Sequence, residues 1–247
     1  MLTHLGYPDQ ARQRSYAALT LAQALAHPFS LVYALGTATL LHYYLREAGA
    51  VYSQAEATIA LSKEHGFPFW LTGGMIRQGW ALAAQGQGAE GIAQIHQGLA
   101  IRRTPAEGRR VLTAAMLAEA HGRAGQAEAG LHVLAEVFTT LEASGERWYE
   151  AELHRLKGEL LLQHAVTQPG GAEACFQQSL DVARRQEAKS LELRAATSLA
   201  RLWQQQGQRA AAYELLAPIY GWFTEGFDTA ALQEAKALLE QLVEESG

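Results

Sequence analysis

The chain has 247 residues, 49% of them hydrophobic and 18% charged, with a formal net charge of −5. That balance provides no broad electrostatic attraction for nucleic acid, and no apolar run reaches the roughly 18 residues that a membrane span requires. The single cysteine, Cys175, excludes an intramolecular disulfide and a cysteine-rich zinc site and is expected to be a small core residue, while the lack of a basic stretch followed by an apolar one at the amino end fits a cytoplasmic protein.

Ala, Leu, Gln and Glu dominate, β-branched residues are sparse and no period-2 alternation appears, so an all-α chain is expected. In chain order, GYPDQARQRSYAAL (Gly6–Leu19) reads as the turn and second helix of a helix pair. Met1–Leu5 is too short to supply the first helix. The face around Tyr16, Leu19 and Leu21 is therefore expected to be uncovered, needing an upstream domain or a second copy of the chain. GAVYSQAEATIALS, from Gly49, is a looser copy read with a one-residue slip. GQGAEG (Gly86–Gly91) fits G-x-G-x-x-G, a dinucleotide fingerprint that needs a strand before it. What precedes it, MIRQGWALAAQ (Met75–Gln85), has helical composition. The same frame returns as GQAEAG at Gly125–Gly130, with Ala127 in place of the middle glycine, then as TQPGGAEACFQQSL at Thr167–Leu180 and GQRAAAYELLAPIY at Gly207–Tyr220.

Copies about 40 residues apart are the mark of stacked supersecondary units. They divide the chain into a partial repeat over 1–26, helix pairs over 27–65, 66–104, 105–145, 146–187 and 188–223, and a capping helix over 224–247, all in one α-solenoid spanning 1–247. In the cap, Asp228 is placed to accept a backbone N–H at the start of a helix from about Thr229. Leu232, Ala235, Leu238, Leu239 and Leu242 make one stripe there, with Glu234, Glu240, Glu244 and Glu245 on the outer face. Within each pair, small residues mark where two backbones approach: Gly79, Ala118 and Ala200 on the first helix, and Gly91, Gly130 and Ala212 on the second. Ile95, Leu134 and Leu216, then Leu99, Phe138 and Tyr220, continue the apolar stripe.

This arrangement resembles the tetratricopeptide repeat, through LARLW (Leu199–Trp203) and the A-x3-F element Ala172–Phe176. The departure is a period of about 40 against 34. ERWYEAELHRLKGELLL, ACFQQSLDVARRQEAKSLELRAATSLARLWQQQG and LLAPIYGWFTEGFDTAALQEAKALLEQL, with GYPDQA, HPFSLVYAL and GFPFWLTGGMIRQGWALAAQGQ nearer the amino end, are similar to the C-terminal repeat region of bacterial multidomain signalling ATPases, often fused to adenylate or guanylate cyclase domains. IRRTPAEGRRVLTAAM (Ile101–Met116) matches least well. The resemblance implies a right-handed superhelix of antiparallel helix pairs and a regulatory arm whose partner is a protein or peptide, such as an upstream cyclase or P-loop ATPase module.

Nothing in the sequence carries catalysis or a cofactor. No Gly-Lys pair exists for a P-loop, no His-Glu-x-x-His or i, i+4 histidine pair is present for a metal, and no G-x-S-x-G elbow occurs. His121, His132, His154 and His164 are expected at surfaces or interfaces. The pairs Arg102–Arg103, Arg109–Arg110 and Arg184–Arg185 read as solvated turns. By analogy with the tetratricopeptide fold, Tyr43, Trp80, Glu119, Glu159 and Arg201 point into a concave groove, with Thr39, Ile76, Ala115, Arg155 and Thr197 one turn earlier. Tyr43 and Trp80 would form an aromatic half, and Arg155, Arg194 and Arg201 a basic half able to grip carboxylate or phosphate. Alternatively Trp80 is core and the arginines pair with Glu152, Glu159 and Glu192. Function is thus expected to be a protein-interaction scaffold, with a small-molecule or peptide sensor closing on its ligand as the alternative. A deep pocket at a repeat junction would favour the sensor.

Overall fold

The computed structural model describes residues 2–101, 110–164 and 169–244. The described residues form twelve helices and no strand: α1 (Pro8–Leu25), α2 (Pro28–Tyr44), α3 (Ala48–His65), α4 (Pro68–Ala84), α5 (Gly88–Ile101), α6 (Arg110–Arg123), α7 (Ala127–Ser144), α8 (Glu150–Gln163), α9 (Pro169–Arg185), α10 (Lys189–Gln205), α11 (Arg209–Tyr220) and α12 (Ala230–Glu244). The helices pack on their neighbours in sequence from α2 to α6 and from α8 to α12, and also on the next helix but one, as α2 does on α4, α4 on α6, α8 on α10 and α10 on α12. That pattern makes the molecule all-helical and solenoid-like. Contacts gather the chain into two compact units, Gln10–Phe138 and Met1–Asp9 with Thr139–Gly247.

Most of the helices stop for a common local reason; α8, which ends at an extended His164, and α11, which ends at a right-handed Gly221, do not. Every described turn between consecutive helices holds one residue at positive φ: Ala26, Arg46, Gly66, Gly86, Gly125, Gly145, Glu187, Gly207 and Gly226. A left-handed residue after the last helical turn lets the final carbonyls find partners while the chain reverses. Glycine does this without strain, whereas a side chain there is crowded by about 1–2 kcal/mol. Gly86, Gly125 and Gly207 therefore end first helices as expected, and Gly6 has the same conformation before α1. The turn after α2 departs from expectation: its left-handed residue is Arg46, and Gly49 lies inside α3. No one-residue slip exists, because Arg46 takes the place that glycine holds elsewhere.

GQGAEG is a helix–turn–helix junction. Gly86 follows α4 and Gly88 opens α5, so a helix stands where a dinucleotide fold needs a strand. Gly79 and Gly91 are the points at which α4 and α5 touch backbone to backbone. A Cβ on Gly79 would lie 2.5 Å from Gly91 O and 2.8 Å from Ile95 Cγ1, and one on Gly91 would lie 2.7 Å from Ala83 N. Ile95 and the corresponding Leu134 and Leu216 are buried, as are Ala118, Ala200 and Ala212.

Gly88 corrects a natural inference from the repeat. Because Ala127 holds the matching position in the next copy, alanine should be tolerated at Gly88 or stabilise α5. In the structure a Cβ on Gly88 would sit 2.8 Å from Ala124 Cβ and 3.1 Å from Ala124 Cα, in the turn after α6. Gly88→Ala is therefore expected to destabilise by about 1 kcal/mol through overpacking. Thermal melting checks this, and a raised melting temperature would show that the α6–α7 turn yields freely.

In the unit containing the carboxyl end, Phe176, Leu199, Leu216 and Leu238 share one core, and Leu232, Ala235 and Leu242 join it from α12. The stripe on α12 is the expected one. The helix begins one residue past the expected start, at Ala230, where Thr229 O accepts the Gln233 N–H and Thr229 Oγ1 donates to Gly226 O at 2.7 Å. On α1, Tyr16 is 75% exposed and Leu21 and Leu25 are also exposed, while Leu19 is half-buried. Cys175 is half-buried, and burial pushes its thiol pKa up. Arg102, Arg103 and Arg109 lie outside the described residues, as do Thr167 and the boundary at 104–105.

Candidate binding face

The residues expected to line a groove separate into two clusters, each inside one unit, and one outlier. In the Gln10–Phe138 unit, Tyr43 on α2, Trp80 on α4 and Glu119 on α6 come together, and all three are buried. The Tyr43 ring stands edge-on to Trp80 at 4.8 Å between centroids. Trp80 Nε1–H donates to Glu119 Oε2 at 2.9 Å. Arg46, carried to this spot by its left-handed turn, donates Nη1–H to the same oxygen at 2.8 Å and Nη2–H to Oε1, and its guanidinium lies 5.0 Å from the Trp80 ring centre. Arg123, one turn along α6, donates to Glu119 Oε1 from Nε at 3.2 Å and from Nη2 at 3.1 Å. One buried carboxylate thus ties the ends of three first helices together, with charge-assisted bonds that a dry site strengthens.

The second cluster lies on α8 and α10. Glu152, 1% exposed, accepts from Arg155 Nη2 at 2.8 Å and pairs with Arg194 Nη2 at 3.0 Å. Arg155 Nη1 also donates to Glu159 Oε1 at 3.2 Å, an oxygen that takes the Ser198 hydroxyl at 2.6 Å. Arg155, Glu159 and Arg194 are therefore engaged with one another's partners. Arg201 stands apart, exposed, 3.9 Å from Glu234. Thr39, Ile76, Ala115 and Thr197 are buried beside these clusters. Glu192 meets Arg184 and Lys189 instead; burial acts to raise its pKa, but the hydrogen bonds from those two cations outweigh it and hold the carboxyl below the usual range. Among the described residues no group of three or more histidine, cysteine or acidic side chains is placed to hold a metal ion.

At the starts of α2 and α4, aromatic side chains stand open to solvent. Phe29 and Phe69 each follow the proline that starts a first helix, Pro28 of α2 and Pro68 of α4. Proline suits that position because its missing N–H would have no partner in the first turn. Phe29 is 49%, Tyr33 56% and Phe69 38% exposed. Their rings form a shelf of two groups: Phe29 meets Phe67 at 5.6 Å and Phe67 stacks with His65 at 5.9 Å, while Tyr33 and Phe69 meet the buried Trp70 at 5.4 and 5.2 Å. Trp70 is seated because Gly36 of α2 leaves room for its indole, which a Cβ there would strike. The starts of α8 and α10 contrast with this, since Ala151–Leu156 and Leu191–Leu193 are buried throughout. The aromatic shelf was present in the sequence as the paired segments HPF and FPF, yet their exposure depends on what packs above them.

The sequence matches no family model, and no curated protein matches it. No helix among the described residues is long and apolar enough to cross a membrane.

Proposed function

We propose that this chain is a non-catalytic, tetratricopeptide-like repeat scaffold that binds a protein partner, and that it serves as the regulatory arm of a cytoplasmic bacterial signalling ATPase or cyclase system. The observation that carries the binding role is the shelf of Phe29, Tyr33, Phe67 and Phe69. Exposed rings grouped on adjacent helix starts cost solvation unless a partner covers them, and they bring large contact area at small entropy cost. The left-handed turn residues Arg46, Gly86 and Gly125 follow one another at about 40 positions, and Gly207 stands two such periods beyond Gly125, which supports a repeat somewhat longer than the standard tetratricopeptide unit. The sensor alternative draws less support, because the side chains that would line its pocket, Tyr43, Trp80 and Glu119, are closed on one another and on Arg46. Self-association through Tyr16 and Leu21 remains compatible with the scaffold role.

Co-purification with cyclase and P-loop ATPase modules from the same organism tests the proposal. The parent is expected to retain one such module, and the triple variant Phe29→Ser, Tyr33→Ser, Phe69→Ser to lose at least about tenfold in retention with an unchanged melting temperature. Equal retention by both would remove the shelf from the binding role.

A further inference from the structure

Residues 2–7 close as the first helices of the repeat do. The Tyr7 N–H donates to Leu2 O at 3.0 Å and the Gly6 N–H to Thr3 O at 3.2 Å, with Gly6 left-handed. Gln87 and Gly86 make the same two bonds, to Leu82 O and Ala83 O respectively. This helix end is seated in the unit that holds Thr139–Gly247, on the start of α10 and the turn after α11. The Ser190 N–H donates to His4 O at 3.1 Å and the Ser190 hydroxyl to Thr3 O at 2.5 Å. Last-turn carbonyls and first-turn amides have no partner within their own helices, so each end supplies what the other needs. Next along, the Gly226 N–H donates to Asp9 Oδ2 at 3.0 Å and the Asp9 N–H to Glu225 Oε1 at 2.9 Å. Tyr7 meets Trp222 at 5.9 Å between ring centres, and a Cβ on Gly6 would lie 2.5 Å from that indole. The seat therefore fits a backbone turn and the lack of a side chain at one position.

We propose that this seat is an interface between two copies of the chain, which exchange residues 2–25 so that the segment of each lies on the α10 start of the other. The partner follows from the fit, because every copy carries the one segment that matches the seat. That element is joined to the rest by a two-residue turn, Ala26 and His27, between α1 and α2. Ala26 is left-handed, at φ 49, a conformation crowded for any side chain. His27 is already extended, as a residue before proline prefers. Rotation at Ala26 alone thus opens the turn and removes its strain, and short strained hinges favour exchange. The hold on α1 is small: Pro8, Ala11 and Ala22 are its buried residues, while Tyr16, Leu21 and Leu25 are exposed. Its bond from Arg12 Nη2 to Glu47 Oε1, at 2.6 Å, is remade in the exchanged pair like the others. Exchange restores the contacts that opening breaks, so concentration decides between the closed chain and the pair.

Cross-linking between different chains tests the exchange. One full chain carries Leu5→Cys and the other Lys189→Cys, both with Cys175→Ser; Leu5 is exposed, and Lys189 Cβ lies 3.1 Å from where a Cβ on Gly6 would stand. After incubation together at about 1 mM, a short bismaleimide should yield a product of twice the chain mass, at least about tenfold above that from either variant alone. A chain carrying both new cysteines should cross-link at any concentration, within itself when dilute. Ala26→Gly relaxes the closed turn, so it should lower the mixed product about tenfold without lowering the melting temperature. Light scattering of the unsubstituted chain should show the mass rising from one chain toward two over the same concentrations. Mixed product no greater than that of the single variants overturns the exchange, and so does a doubly substituted chain that fails to cross-link. Undiminished mixed product in Ala26→Gly overturns the hinge on which the exchange turns.

Discussion

Leucine in place of Gly91 is expected to destabilise the chain by about 3 kcal/mol or more, at the upper end of overpacking costs. The size follows from what the side chain would meet. Gly91 faces Gly79 O and the backbone nitrogen of Ala83, and backbone cannot step aside as a rotamer can. Either α4 and α5 separate along their shared seam, losing the packing of Ile95 and Ile76, or α5 shifts in register. Gly49→Leu is the control, since a Cβ at Gly49 meets nothing within 4 Å and leucine is the better helix former. Chemical denaturation of the two variants should place them on opposite sides of the parent. Similar midpoints for both would mean that α4 and α5 do not cross at this distance.

Alanine at Glu119 should cost about 3–5 kcal/mol, the usual price of removing one partner from a buried ion pair. It takes away the carboxylate that receives Arg46, Arg123 and the Trp80 indole N–H, and it leaves cationic groups in a region built around an anion. Glu119→Gln should fall between alanine and the parent, because one amide oxygen can still accept from Trp80. A double-mutant cycle with Arg46→Ala separates the pair from its surroundings and should return a coupling of at least about 1 kcal/mol. If Glu119→Ala stays within about 1 kcal/mol of the parent by denaturant titration, the cluster is not what joins α2, α4 and α6.

Much of the helical framework was legible because its causes are local. Gly86, Gly125 and Gly207 announce left-handed stops, Gly79 and Gly91 announce a close crossing, and the leucines of α12 repeat at helical spacing. Arg46 escaped notice because the turns were sought through glycine, and a strained arginine in the same conformation has no sequence signature. Its strain is offset by the bonds it makes to Glu119, 73 positions away, a distance over which no periodicity speaks. The contacts of the segment ahead of α1 were missed for the opposite reason: residues 2–7 are too few to show any pattern, and their partners Ser190 and Trp222 are remote. Tyr43 and Trp80 were read as groove residues from their register on first helices, whereas packing between adjacent first helices closes over both. Gly88 shows the limit of matching copies, since the turn that crowds it belongs to the next pair and not to its own.

Trp80 gives the molecule an internal optical probe. Fully shielded from water and bonded through its indole nitrogen, it shares the Gln10–Phe138 unit with the buried Trp70, while Trp148, Trp203 and the exposed Trp222 belong to the other unit. Indole emission moves to longer wavelength as water reaches the ring, so the two units of one unlabelled chain fluoresce at different colours. The blue side of the emission band then reports on Trp70 and Trp80, and its loss follows the arrival of water at those two rings. Loss of order in either unit can then be timed separately in the same cuvette.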